Sequence, residues 1–201
     1  MRNLILLLSV LTFVSCKKAE IQNKKIISEI IVTESEIYEV VNFILLEAKE
    51  AEKFEGLKNS RYKYLLEKDF EPLFNNIDSS RILKAESIFL KEDLKFIDRQ
   101  ILLRKDFKFN KDSIKSLEIM PASDIQDIIE QRIKNPRKTF YELYKSKFGD
   151  NFYYTIGLPV FSTDKKTVFI KFSSFGSGFT KVLKKVKGSW IDFKAGSNWI
   201  S

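Results

Sequence analysis

The sequence predicts an α+β fold, with several amino-terminal and central helices packed on one face of a carboxy-terminal antiparallel four-stranded meander. Three observations carry this. Apolar residues recur at helical spacing in separate runs between residues 33 and 150. After residue 151 the pattern becomes two-residue alternation, broken by turn clusters of Gly, Ser, Asp and Lys. The chain is 44% hydrophobic and holds 18 Phe, enough to close a core around both parts. At 201 residues, with no internal repeat or low-complexity linker, residues 33–201 read as a single α+β domain, mainly helical over 33–150 and sheet over 151–201.

The first residues read as an address. Met1, Arg2 and Asn3 make a short basic start, and residues 4–14 are apolar. That run is too short to span a bilayer as a helix, and it fits the apolar core of a secretory signal peptide over residues 1–15. Phe13-Val14-Ser15-Cys16 follows, and Cys16 is the sole cysteine of the chain. A small residue directly before a cysteine, with apolar residues ahead of it, resembles the lipobox of bacterial lipoproteins; Phe13 stands where leucine is usual. The resemblance implies lipid attachment at Cys16: a diacylglyceryl group on the thiol and a further acyl chain, such as palmitate, on the freed amine. Several acyl chains anchor stably where one does not. Residues 16–32 then form the lipidated amino terminus and a polar, basic tether. Lys17 follows the cysteine and no acidic export cluster appears, so a periplasm-facing outer-membrane anchor is expected by analogy.

Thr33 and Glu36 are spaced as a capping box at the start of the first helix. Ile37, Val40, Val41, Ile44, Leu45 and Ala48 share its apolar face, Glu47, Glu50 and Glu52 read as a solvated face, and Gly56 ends it. Residues 62–74 read as a short helix interrupted by Pro72, followed by a loop over 75–80. A helix over 91–103 turns Leu94, Ile97 and Ile101 inward, with Gln100 among them as a core hydrogen-bonding group or a ligand contact. Residues 107–109 read as extended, and 112–117 as a helical turn capped by Asn110 or Asp112. A further helix starts at Ser123 or Asp124 and runs through Ile133. Pro136 is expected in the first turn of the last helix, which ends at Phe148 before Gly149.

The meander is expected as strands over 152–161, 167–175, 179–186 and 189–194. Pro159 cannot donate to a ladder, so the first strand is an edge there or bulged. Residues 162–165, Gly176-Ser-Gly178 and Lys187-Gly188 supply the reversals.

The run from Pro159 to Val168, the Gly176-Ser-Gly178 hairpin, the Leu183-Lys-Lys-Val-Lys-Gly-Ser-Trp190 hairpin and the Trp199-Ile-Ser201 end together resemble the tail of uncharacterised secreted proteins and lipoproteins, mostly of Bacteroidetes. The resemblance covers about a quarter of the chain. It implies fold and compartment, and brings no activity with it.

Formal charge is +8. From residue 151 onward eight lysines face only Asp164 and Asp192, so +6 of it lies in the sheet. Lys181, Lys184, Lys185 and Lys187, with Trp190 and Phe179 nearby, form a candidate basic contact surface. Strand alternation puts Lys181, Lys185 and Lys187 on one side and Lys184 on the other. The bland reading is an edge strand kept soluble by lysine. The functional one is an acidic envelope protein, a glycan or an anionic lipid. An exported chain meets little nucleic acid, so a base-stacking groove is set aside.

The chain has no histidine, so Ser-His-Asp and Cys-His systems and histidine-bearing zinc sites cannot be built from it. No cofactor, metal or catalytic residue is assigned. The leading reading is a non-enzymatic binding or structural protein of the cell envelope. The alternative is a carboxylate-dependent hydrolase of an envelope polymer, with Glu92/Asp93 and Asp124/Asp127 as pairs to test.

Overall fold

The computed structural model describes residues 31–54, 61–68, 88–174 and 177–200. The chain divides into two units, Met1–Thr33 and Glu34–Ser201, and the second is the subject below. The signal segment, Cys16, most of the tether, Gly56, the part of the expected second helix beyond Lys68, the 75–80 loop and Gly176 lie outside the described residues. No helix among the described residues is long and apolar enough to cross a membrane.

The described elements run α1 (Glu34–Phe54), β1 (Tyr62–Leu66), α2 (Lys91–Leu103), a 3-10 turn (Lys111–Ser113), β2 (Glu118–Met120), α3 (Ala122–Lys134), α4 (Phe140–Phe148), β3 (Phe152–Ile156), β4 (Val160–Phe161), β5 (Thr167–Ser174), β6 (Ser177–Val186) and β7 (Ser189–Ile200). The strands make one mixed sheet in the order β2-β1-β3-β5-β6-β7, with β4 pairing β5 beyond the end of β3. The class is α+β, with the antiparallel meander at the carboxy-terminal end.

One expected element is of the other type. Residues 62–66 are a strand, not the start of a helix, and β1 pairs in parallel with β2 on one side and β3 on the other. A parallel strand covered on both faces loses polar-apolar alternation. Leu65 and Leu66 are both buried, and that doublet, taken with the apolar residues after it, imitates a helical period.

Parallel neighbours need long crossovers. The connection from β2 to β3 is α3 and α4, which pass over β1. Leu66, Met120, Ile125, Ile128, Leu143 and Tyr144 close into one apolar cluster, with Tyr64 and Tyr153 against it. Tyr144 is fully buried and spends its hydroxyl on the Asn151 carbonyl, 2.9 Å away. The last helix starts later than Pro136 suggests. Thr139 caps it, accepting from the Glu142 N–H while Glu142 accepts from the Thr139 N–H.

Along β3, Tyr153 and Tyr154 point to opposite faces. Tyr153 meets Tyr144 of α4. The Tyr154 hydroxyl donates to Glu52 of α1. Thus α1 covers the face that carries Tyr154, Ile170, Phe172 and Leu183, while the α3–α4 pair covers β1 from the other side. The chain after α2 packs on the far flank of α1: Tyr38 lies against Phe107 and Phe109, and its hydroxyl accepts from the Asn110 N–H at 2.7 Å.

β3 and β4 are one strand interrupted by Gly157, Leu158 and Pro159. Ile156 pairs Phe172 and Val160 pairs Phe169, four residues against three, so the interruption is a one-residue bulge. The bulge lies where Pro159 required it. The 187–188 hairpin also forms as expected, with φ of 50° at Lys187 and 86° at Gly188. Two successive positive values are those of a type I′ turn, whose twist matches the strands. The fourth meander strand continues past Lys194 to Ile200 and forms an outer edge of the sheet. Its pairing with β6 shifts register twice, between Phe179 and Lys181 and between Val182 and Leu183.

Candidate functional site

The structure divides the four lysines of the expected basic surface. Lys181 and Lys185 lie four residues apart on β6, so they share a face, and α1 lies across it. Lys185 pairs with Glu39 at 2.7 Å and Lys181 with Glu47 at 3.1 Å. Glu39 and Glu47 are eight residues apart on the helix, a rise of about 12 Å. Four residues of strand rise about 13 Å. The two ladders therefore match, with helix and strand running in opposite directions. Lys165, in the turn before β5, extends the row by pairing with Glu36 at 3.0 Å.

Lys181 also meets Asp192 of β7 at 2.7 Å, and its ammonium lies 5.3 Å from the Phe179 ring centre. Burial pulls the Lys181 pKa down, but its hydrogen bonds to Asp192 and Glu47 outweigh that and the net direction is upward. Glu47 is raised as well: burial penalises its charge more than Lys181 restores it. Two carboxylates hold the Lys181 ammonium, so the pair keeps its charged form.

Lys184 and Lys187 are placed otherwise. Lys184 projects from the opposite face of β6, with its ammonium 3.6 Å from the centre of the Phe193 ring. Lys187 is exposed at the hairpin tip. Neither makes an ion pair among the described residues. Trp190 is buried, edge-on to Phe161, with Lys185 above its ring and no hydrogen-bond partner for its indole N–H among the described residues.

The carboxylates suggested for hydrolysis are occupied structurally. Asp93 is buried and accepts two backbone N–H groups, from Leu90 at 2.8 Å and Thr163 at 2.6 Å. It closes the first turn of α2 and ties it to the 162–165 turn. Glu92 is exposed. Asp124 and Asp127 share Lys147 of α4, at 2.7 and 3.7 Å. No group of three or more His, Cys, Asp or Glu among the described residues could hold a metal ion.

The carboxylate that the sequence reading missed is Glu52. It is 7% exposed, though expected on the solvated face of the first helix. Its signal was spacing: it lies four residues after Ala48 and eight after Ile44, on the buried stripe of α1. Tyr154, its partner, stacks on Tyr62 at 4.2 Å and touches Phe172, which stacks on Phe179. Four aromatic rings thus cross β1, β3, β5 and β6 beside one buried acid.

Gln100 resolves as a core hydrogen-bonding group. Its amide donates to the Phe161 carbonyl at 2.8 Å and accepts from the Phe161 N–H at 3.0 Å. Comparison of the chain with family models, curated proteins and solved structures returns no match. The Pro159 to Val168 stretch has a structural account of its own. Pro159 sits in the bulge and Phe161 is buried. The Ser162 hydroxyl accepts from the Thr167 N–H and donates to Asp164, which accepts from the Lys166 N–H. These residue types serve a turn.

Proposed function

We propose that this chain is an exported lipoprotein of the cell envelope, anchored in the outer membrane through acyl chains on Cys16, facing the periplasm, and acting by binding. The observation that carries the reading is the placement of the sole cysteine: a basic start, an apolar run too short to span, and a small residue lead directly to Cys16. The resemblance of the tail to envelope proteins supports the same compartment. Binding is favoured over catalysis because Asp93, Asp124 and Asp127 are engaged by backbone or lysine, which leaves them no unlike acid-base pair to offer. The test is the intact mass of the mature amino terminus, in the natural chain and in Cys16→Ala, with membrane fractionation. Acylated Cys16 in the outer membrane is expected. An unmodified, freely soluble product would overturn the anchor.

A hydrolase of envelope polymer is the second reading, and Glu52 is what favours it: a buried acid beside a row of aromatic rings. Its test is release of soluble fragments from purified envelope polymer. Release by the natural chain and none by Glu52→Gln would establish it. No release by either removes it.

A further inference from the structure

The β6–β7 hairpin carries an exposed surface that the expected basic patch does not describe. Lys184 and Val186 share one face of β6, and Ile191 stands opposite Lys184 in register. Phe193 joins them under the Lys184 ammonium. Val186, Ile191 and Phe193 are 46%, 45% and 50% exposed. Three apolar side chains in water, beside two lysines with no acidic partner among the described residues, need a reason on a strand whose lysines on the other face are paired. Lys181 and Lys185, on the opposite face, are matched to acids.

We propose that this hairpin docks on an anionic membrane surface, with Ile191, Phe193 and Val186 entering the headgroup region and Lys184 and Lys187 meeting lipid phosphates. The inference rests on the envelope-lipoprotein reading for the membrane that the hairpin meets. Charge and size both point to lipid. Two lysines at and near the tip, with no acidic partner among the described residues, suit a negative leaflet, where each near-surface cation adds to binding. A stable protein interface takes roughly 20–30 residues a side, and this patch is one hairpin end. Shallow insertion of a few apolar side chains flanked by lysine needs no more than that. The Lys184 ammonium over Phe193 holds charge and ring together, so both reach the headgroup layer at once.

The test uses the whole protein with Ser189→Cys at the exposed start of β7, labelled there with an environment-sensitive maleimide dye. It is reconstituted in vesicles of phosphatidylcholine alone, or of phosphatidylcholine and phosphatidylglycerol in equal parts. Several-fold brighter, blue-shifted emission is expected only in the anionic vesicles. Lys184→Gln with Lys187→Asn, and separately Ile191→Thr with Phe193→Thr, should return it to the neutral-vesicle value. Asparagine suits the positive φ at 187, so the hairpin persists. Lys134→Gln with Lys138→Gln, exposed lysines elsewhere on the chain, should leave the emission unchanged. Equal emission in the two vesicle types overturns the proposal, and so does a comparable loss in the Lys134/Lys138 variant, which would report general charge instead of this hairpin. Intact mass of the labelled chain separates the two readings. One dye with acyl mass on Cys16 in the intact mass supports the anchor. A chain without acyl mass would sink the anchor, and the same labelling repeated with Cys16→Ser, which carries the dye at 189 alone, still decides the hairpin.

Discussion

The Gln100 side chain and the Phe161 backbone exchange two hydrogen bonds, so an amide on α2 takes the place of a neighbouring strand along the free side of β4. Phe161 is 1% exposed, so bulk solvent does not reach either bond. Gln100→Ala should therefore cost about 3 kcal/mol, since a buried N–H and a buried C=O are each left unmet at roughly 1–3 kcal/mol. Gln100→Glu should also destabilise, by less than the alanine variant: it sets a carboxylate oxygen against the Phe161 carbonyl, while Arg104, 3.4 Å from the present Oε1, offsets the added charge. Urea unfolding of the three proteins checks both.

Asp93 takes two backbone N–H groups with its two oxygens. Asn in its place turns one acceptor into a donor facing a donor. Asp93→Asn should lose about 2 kcal/mol, within the usual range for hydrogen bonds to a charged group. Paired denaturation curves give the difference.

Lys181 and Glu47 should respond unequally to loss of charge. Lys181 carries two carboxylates, so Lys181→Met should cost about 1 kcal/mol. Glu47 ionises against a burial penalty, and Glu47→Gln should cost less. The pH dependence has a defined sign. Because the Lys181 pKa is raised above 10.5 in the folded chain, its contribution is complete below 10.5 and is lost as pH rises through the folded value. Unfolding midpoints of the natural chain should fall more steeply above that pH than those of Lys181→Met.

The 187–188 turn has a Lys where a residue tolerant of positive φ fits better. Lys187→Asn should gain a few tenths of a kcal/mol. Gly188→Ala should lose about 1 kcal/mol. Nothing lies within 4 Å of a methyl built there, so the loss would come from φ alone. Thermal midpoints should shift in opposite directions.

Much of this architecture was legible because its signals are local. The α2 and α3 stripes, the Pro159 bulge and the Lys187-Gly188 turn each depend on residues within a few positions. β1 was not legible, because its character comes from strands and helices far away in sequence that bury both its faces. β2 is three residues long and has no room for a pattern. The α4 start was written as Thr139-x-x-Glu142, but Pro136 is the more conspicuous signal. Glu52 was hidden by its charge, although its spacing placed it inward. The pairing of β6 lysines with α1 acids could not be read at all, since it needs the helix laid on the strand: 146 residues separate Lys185 from Glu39.

The two register shifts along β7 bear on crowding. A twelve-residue outer strand is a template on which a second copy could add by backbone pairing. A regular edge of that length would invite sideways polymerisation. The shifts near Phe179 and Val182 cut β7 into short runs whose carbonyls and amides fall out of step. A neighbouring copy would gain a few bonds and then lose alignment, so this edge ends the sheet instead of seeding a fibre.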